Sequence, residues 1–424
     1  MLSIHIRMVW VVFIFDIPLR IYRSSLHRNA GFLIANYAVG AGLGFFFWTV
    51  AARVFPAATV GLASATVSAM GLVFTISGLG LGIGLVRFLP PSQNKQQLVG
   101  TALTISATVA VCISAVFLSG LSLWAPKIVF LTETPIVSLI FAVSSIPWVW
   151  ASLIDQGFVA LRKSHFSLLR NIISQAGKLI LLLVVGVTGA LGIFGVWAAA
   201  LVVSVVLAFF IFYKVSGFGF PTPSLNIEEF RKMFSFSSAN YLAGFLYTSP
   251  ATVMPLVVTG FLGAEMTAYY YVSWMIATAL FVIPTSIGTS YLAESASTPE
   301  KRDQDFKRAI KFAYTLTIPL AITIYIFADK ILLLFGETYS DNATSFLRLL
   351  VLVIPAYAFN HVFIARKNVV KELGWVVGGN IVVTTILFAV TSYGLKSWGL
   401  SAIAYGFIAG HIAFLALSLT NTFR

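Results

Sequence analysis

The chain has 424 residues, of which 59% are apolar and only 10% charged, and its mean hydropathy is +0.94. Soluble chains carry about a quarter charged residues, so this balance excludes a soluble enzyme or binding module and specifies an integral membrane protein. The net charge of +13 is spread between apolar runs, which is an orientation signal in a membrane protein and no nucleic-acid stripe.

In chain order, residues 1–29 read as a basic, partly amphipathic segment on the cytosolic surface. The run inside "MVWVVFIFDIPL" has only about eight apolar residues before Asp16 and no small-residue cleavage site after it, so no cleavable signal peptide is expected. A bilayer core needs about 20 apolar residues in a helix. Twelve stretches qualify: 30–52, 58–86, 98–122, 135–160, 167–188, 191–213, 233–259, 265–292, 309–327, 343–365, 373–393 and 398–420. With the N-terminus in the cytosol, twenty-one of the 27 Lys and Arg fall on the cytosolic side and five on the outer side, while Lys178 lies within a span. That asymmetry is a strong positive-inside signal for a cell-membrane protein with both termini in the cytosol. The single cysteine, Cys112, excludes an internal disulfide framework. Loops are short and no nucleotide motif occurs, so neither a soluble catalytic domain nor a cofactor or metal site is expected.

The chain repeats itself. "ANY" at Ala35–Tyr37 returns at Ala239–Tyr241, and "APKIVFL" at Ala125–Leu131 returns as "ADKILLL" at Ala328–Leu334. "IPWVW" at Ile146–Trp150 is echoed by "IPAYA" at Ile354–Ala358, and "ALRK" at Ala160–Lys163 by "IARK" at Ile364–Lys367. Each half holds six spans, an even number, so both enter from the same side. The expected fold is therefore all-α and polytopic, about twelve transmembrane helices in two six-helix lobes related by a pseudo-two-fold along the membrane normal. The N-lobe covers 30–213 and the C-lobe 233–424, with 214–232 as a cytosolic hinge. Transporters built from such repeats place the substrate between the halves and alternate access by rocking.

"GLGLGIGLVRFLP" (Gly78–Pro90) closes the second stretch. A lone strand cannot cross lipid, because its backbone groups would go unpaired. On a helix the run holds two small-xxx-small pairs, Gly78/Gly82 and Gly80/Gly84, which permit close packing while weakening the helix. A close-packed, bendable helix end is expected, serving packing alone or bending during alternation. No G-x-G-x-x-G or Walker spacing is present, so it is no phosphate loop.

The stretch "FFFWTVAARVFPAATVGLASATVSAMGLVFTISGLGLGIGLVRFLP" (Phe45–Pro90) resembles the start of polysaccharide biosynthesis membrane proteins. These are the Wzx-type lipid-linked oligosaccharide flippases of the multidrug/oligosaccharidyl-lipid/polysaccharide (MOP) exporter superfamily. The resemblance implies two bundles forming a V around a cationic cavity. It implies movement of undecaprenyl- or dolichyl-diphosphate oligosaccharide from the cytosolic to the outer leaflet. Many relatives have fourteen spans where this chain has twelve.

Beside that resemblance the charged residues sort as follows. Arg87 is either a snorkelling interface residue or a diphosphate ligand, since guanidinium binds phosphate oxygens bidentately. Its repeat counterpart is Glu294, which suggests a gating ion pair between lobes. Lys178 lies deep in the fifth span, where a charge is costly unless it faces water or a partner. It reads as cavity-facing, with Asp155 as its counter-ion, or as half of a buried pair that only fixes packing. Arg53 ends the first span as a topology anchor or an exit-side phosphate contact. Asn36 and Asn240, the repeated asparagines, read as helix glue or sugar contacts. His361 is a satisfied core residue or a protonation switch. Trp148, Trp150, Trp197 and Trp274 are packing residues or sugar platforms, and Asn342 begins a sequon expected on an outer loop.

Three functions compete. A flippase for a polyprenyl-diphosphate glycolipid is favoured by the basic candidates. Its partners would be that substrate, membrane lipid and other polysaccharide-assembly membrane proteins, with no nucleic acid. A cation-coupled multidrug exporter would need intramembrane carboxylates, which the seventh and tenth spans lack. A membrane polymerase or ligase would need a large outer loop, and the outer loops are short.

Overall fold

With no water in hydrocarbon, an apolar run must satisfy its backbone within itself, which a helix does. The computed structural model describes residues 25–295 and 299–422, and every regular element among them is helical. The first half of the chain holds α1 (Ser25–Val54), α2 (Ala57–Ser77), α3 (Leu81–Phe88), α4 (Lys95–Ser119), α5 (Pro135–Ala160), α6 (His165–Val184) and α7 (Gly189–Ser216). The second holds α8 (Ile227–Thr252), α9 (Met254–Leu262), α10 (Ala264–Ser295), α11 (Arg302–Leu333), α12 (Glu337–Val351), α13 (Ile354–Val369), α14 (Leu373–Trp398) and α15 (Ser401–Thr422). Among the described residues 11 helices are long and apolar enough to cross a membrane; α12 and α13, bent by 47°, make a twelfth when taken as one span. The twelve expected stretches all have their counterparts in this set. The expected surface segment 1–29 lies outside the described residues up to residue 24, and from Ser25 the chain is already α1.

The second expected span is not one helix. Leu79 and Gly80 take left-handed backbone, φ 47° and 68°, which ends α2 and restarts the chain as α3. Neighbouring helices explain the glycines. A Cβ on Gly80 would lie 3.0 Å from Ser237 Cβ, and one on Gly84 would lie 2.7 Å from Met233 Cβ, both on α8. A Cβ on Gly82 would lie 2.9 Å from Gln156 on α5. The ladder is thus a break followed by a short helix pressed between the two halves of the chain.

Helix α2 is the central element. Its buried surface is rich in small residues, Gly61, Ala63, Ser64, Ala65, Ser68, Ala69 and Gly71, beside the larger Val60, Val67, Met70 and Val73. In lipid, helices associate by close van der Waals packing rather than by escaping water, and small residues allow it. A Cβ on Gly61 would lie only 1.7 Å from the Ala264 carbonyl oxygen at the start of α10. The halves therefore touch along α2–α10 at one membrane face and along α3–α8 at the other, the face that carries the Arg87–Lys95 loop.

The segment 214–232, expected as a hinge, is helical at both ends. Helix α7 runs to Ser216 and α8 starts at Ile227, where Asn226 caps it by accepting from the Glu228 and Glu229 amides at 3.0 and 3.1 Å. The residues between are laced to α4. Gln96 donates to the Phe220 carbonyl at 2.6 Å, the Ser224 amide to Thr104 Oγ1 at 3.2 Å, and the Asn226 amide to Thr101 Oγ1 at 3.2 Å.

Candidate functional site

Three adjoining cavities run through the molecule. The first lies in the first half, among α1, α5, α6 and α7, with a volume of about 330 Å³. It is built from helical spacing. On α6, Ser167, Arg170, Asn171, Ser174, Gln175 and Lys178 recur every three or four residues and so share one face. On α5, Ser152, Asp155 and Gln156 face them.

Asp155 is not the counter-ion of Lys178. Its carboxylate is held by Arg170 in a fork: Nε donates to Oδ1 at 2.9 Å and Nη2 to Oδ2 at 2.6 Å. The reason is the antiparallel hairpin of α5 and α6. Asp155 and Arg170 stand at matching distances from the turn, whereas Lys178 is eight residues, or about 12 Å, further along α6. Lys178 is nonetheless buried, 6% exposed, and has no ion pair among the described residues. Its ammonium lies 4.9 Å from the centre of the Phe47 ring, a cation–π contact. Nearby, Asn171 donates to the Asn36 carbonyl at 2.9 Å, while Asn36 Oδ1 and Gln175 Oε1 are buried without hydrogen-bond partners. The cavity thus offers one neutralised guanidinium, one unneutralised ammonium and several amides, a lining suited to an anionic, hydroxyl-bearing group.

The second cavity, about 260 Å³, lies between the halves beside the glycine ladder. Asn240 lines it, with Gly80, Gly82 and Tyr241, whose hydroxyl donates to the Ile76 carbonyl at 3.0 Å. Ser152 and Gln156 line both this cavity and the first. The repeated asparagines therefore face different spaces: Asn36 the first cavity, Asn240 the second. The third cavity, about 210 Å³, lies in the second half and shares Thr248 with the second. His361 lines it, together with His411, Asn360, Tyr247 and Tyr357.

Of the other expected site residues, Trp148 and Trp197 line the first cavity and Trp274 the third, while Arg53, Arg87 and Glu294 lie outside all three. Arg53, at the end of α1, reaches across to the second half, donating from Nε to the Leu334 carbonyl at 2.8 Å and from Nη2 to that of Leu333. Those carbonyls end α11, so the guanidinium both caps that helix and ties the halves together. Arg87 is exposed at the end of α3 and lines none of the three cavities. Glu294 is exposed near the end of α10. The tryptophans stack on protein rings: Trp148 on Phe74 at 5.5 Å and against Trp197 at 4.5 Å, and Trp274 on Tyr270 at 5.8 Å. Trp150 donates to the Leu103 carbonyl at 3.0 Å. Asn342 sits on α12, not on a loop, and donates to the Thr338 carbonyl at 2.8 Å.

Sequence reasoning missed Arg170 and His411. Arg170 belongs to a polar stripe at 3–4-residue spacing, a pattern visible in the sequence and foreign to a lipid-facing helix. His411 stands alone in an apolar run, and only its packing against α13 reveals it.

Comparison with known proteins places this geometry. Residues 50–344 match the family model described as polysaccharide biosynthesis protein. No curated protein matches the chain in sequence. Among solved structures, the lipid II flippase MurJ in an inward closed conformation superposes with a TM-score of 0.75 at 13% identity, covering 93% of this chain and 87% of that one. An outward-facing multidrug resistance MATE family transporter of the MOP superfamily superposes with a TM-score of 0.61 at 14% identity, covering 94% and 95%. A MOP superfamily transporter from Pyrococcus furiosus, noted for the reverse polarity of its binding pocket, gives 0.56 at 13% identity, covering 93% of each chain. The chain is a multi-pass membrane protein with the MOP-transporter fold, and it belongs to the polysaccharide biosynthesis protein family.

Proposed function

We propose that this protein moves a polyprenyl-diphosphate-linked oligosaccharide from the cytosolic to the outer leaflet by alternating access. In this reading residues 30–213 and 233–424 act as two lobes, and the basic face lies in the cytosol with both termini. The observation that carries the reading is Lys178: a buried ammonium with no carboxylate partner, facing a cavity whose one nearby carboxylate is already taken by Arg170. A charge in that position costs several kcal/mol unless something anionic visits it. The family name and the lipid II flippase among its structural neighbours support the same cargo class. The cation-exporter alternative is weakened by the same pair, because Asp155 is engaged and leaves no carboxylate in that cavity for a cationic drug.

The chemistry follows from charge. Arg87, at the cytosolic mouth, meets the diphosphate first, Lys178 holds it at depth, and release takes it past Arg53. A diphosphate with about two negative charges gains about 4.6 kcal/mol on leaving an interior at −100 mV, roughly a thousandfold bias. Other polysaccharide-assembly membrane proteins would supply and consume the glycolipid. The test is flipping of a polyprenyl-diphosphate oligosaccharide in proteoliposomes. An interior-negative potential should speed it, and Lys178→Ala should slow it about tenfold at matched protein, the worth of one charge-assisted contact. Unchanged flipping in Lys178→Ala removes the reading; export of cationic drugs in place of glycolipid installs the alternative.

A further inference from the structure

The cavity of the second half holds two imidazoles and no carboxylate or ammonium among the described residues that line it. His361 on α13 lies against Tyr357, ring centres 4.2 Å apart, and Tyr357 lies 5.0 Å from the His411 ring on α15. Asn360 Nδ2 donates to the His411 carbonyl at 2.8 Å and contacts His411 Nδ1 at 3.2 Å. A donor facing Nδ1 makes that nitrogen an acceptor, so this arrangement is that of a neutral His411 with its proton on Nε2. On the other side of the same amide, Asn360 Oδ1 is fully buried and has no hydrogen-bond partner. An orphaned acceptor costs about 1–3 kcal/mol, and it stands beside the one group that, on gaining a proton, would need it.

We infer that His361 and His411 form a proton-binding site, with Asn360 as its two-position partner. A proton taken at His411 Nδ1 turns that nitrogen into a donor. The Asn360 amide then rotates, and Oδ1 accepts the new N–H. The groups facing the pair can be counted by element. Helix α8 supplies Tyr247 and Thr248, α13 supplies Tyr357 and Asn360, α14 supplies Asn380 and Thr384, and α10 supplies Trp274 and Thr278. None of these carries a charge that would hold an imidazolium in a closed, mostly aromatic space. The protonated pair is therefore stable where water enters, and protonation favours opening of the cavity. Its closure rests on two α8 contacts: the Tyr247 and Tyr357 hydroxyls at 3.0 Å, and Thr384 Oγ1 on the Leu246 carbonyl at 3.3 Å. Loosening α8 also loosens its grip on the glycine ladder, so proton binding and rocking of the halves become one equilibrium.

For its cargo this inference rests on the transport function proposed above, but its test does not. Labels at exposed Gln93 and Gln304, in a Cys112→Ser background, report the separation of the halves on the basic face without any substrate. Lowering the pH from 8 to 5 should raise the open-to-closed ratio by up to about tenfold per pH unit near the midpoint, the slope of one linked proton. His361→Gln and His411→Asn, which keep neutral hydrogen-bonding shapes, should each flatten that response. Asn360→Asp gives the imidazolium a carboxylate and should move the midpoint up by about 1–3 pH units. A pH response that survives in either histidine variant, or a midpoint unmoved by Asn360→Asp, overturns the site. Loss of flipping with this response intact would instead count against the cargo.

Discussion

The two halves repeat in sequence but carry opposite chemistry. At the 204-residue offset shared by "ANY" and "ALRK", Asp155, Arg170 and Lys178 correspond to Phe359, Gly374 and Val382. In the other direction His361 and His411 correspond to Gly157 and Leu207. One half has a charged cavity with no histidine in its lining, the other a histidine cavity with no charge. Gln156 and Asn360 correspond and each lines its own half's cavity, so the amide position is kept while its neighbours differ. The repeat preserves helix packing, and the candidate sites sit where the copies have diverged.

The contrast breaks most readily at the Asp155–Arg170 fork. Asp155→Ala leaves a buried guanidinium unpaired, at a cost of about 3–5 kcal/mol, and should sharply lower the yield of monodisperse protein on size exclusion. The double variant Asp155→Ala with Arg170→Ala should recover most of that yield, whereas no single change among the histidines should approach the loss. Next comes Gly84→Val on the ladder. The added side chain meets Met233 across the halves, and such overpacking costs about 1–3 kcal/mol. Crosslinking between cysteines placed at Phe88 and Phe236, whose rings lie 5.4 Å apart, should fall about tenfold. Lys178→Met sharpens the comparison from the other side. Removing an unpaired buried charge should raise the thermal midpoint by a few degrees, about 1 kcal/mol, while abolishing the response of flipping to competing diphosphate. A fall in midpoint would mean that Lys178 is held by structure and not by cargo. The smallest effect is expected at Arg53→Gln. Losing one exposed cross-half tie should lower the fraction closed at that face about threefold, read by crosslinking of paired cysteines there.

These expectations show what the sequence could and could not disclose. The spans and the repeat were legible because lipid demands long apolar runs, and two similar bundles leave similar runs. The need for close packing at Gly80 and Gly84 was legible too. The partner, α8, was not, because its contacts join residues 149 and 157 positions apart, Gly84 with Met233 and Gly80 with Ser237. The importance of Lys178 followed from its depth alone, yet its pairing with Asp155 did not hold, since pairing depends on register across the α5–α6 turn. Arg87 and Glu294 align in the repeat, but alignment is a statement about ancestry and not about distance.

One consequence follows from how α8 is held. Its first turns are bound to the first half, through Met233, Ser237 and Tyr241 against the ladder and through Asn226 on Thr101. Its later turns are bound to the second half, through Leu246 and Tyr247. The helix thus has the layout of a lever, anchored in the second half at Leu246 and Tyr247 and in the first half at Met233. From Leu246 to Met233 the arm is thirteen residues, about 20 Å at 1.5 Å per residue. A swing of about 20° carries its tip about 7 Å, beyond the 4–4.5 Å at which side chains cease to touch. Under the inference drawn above, a modest angular change at the histidine end would suffice to unseat Met233 from Gly84, with a reach set by the number of residues between the two anchor points.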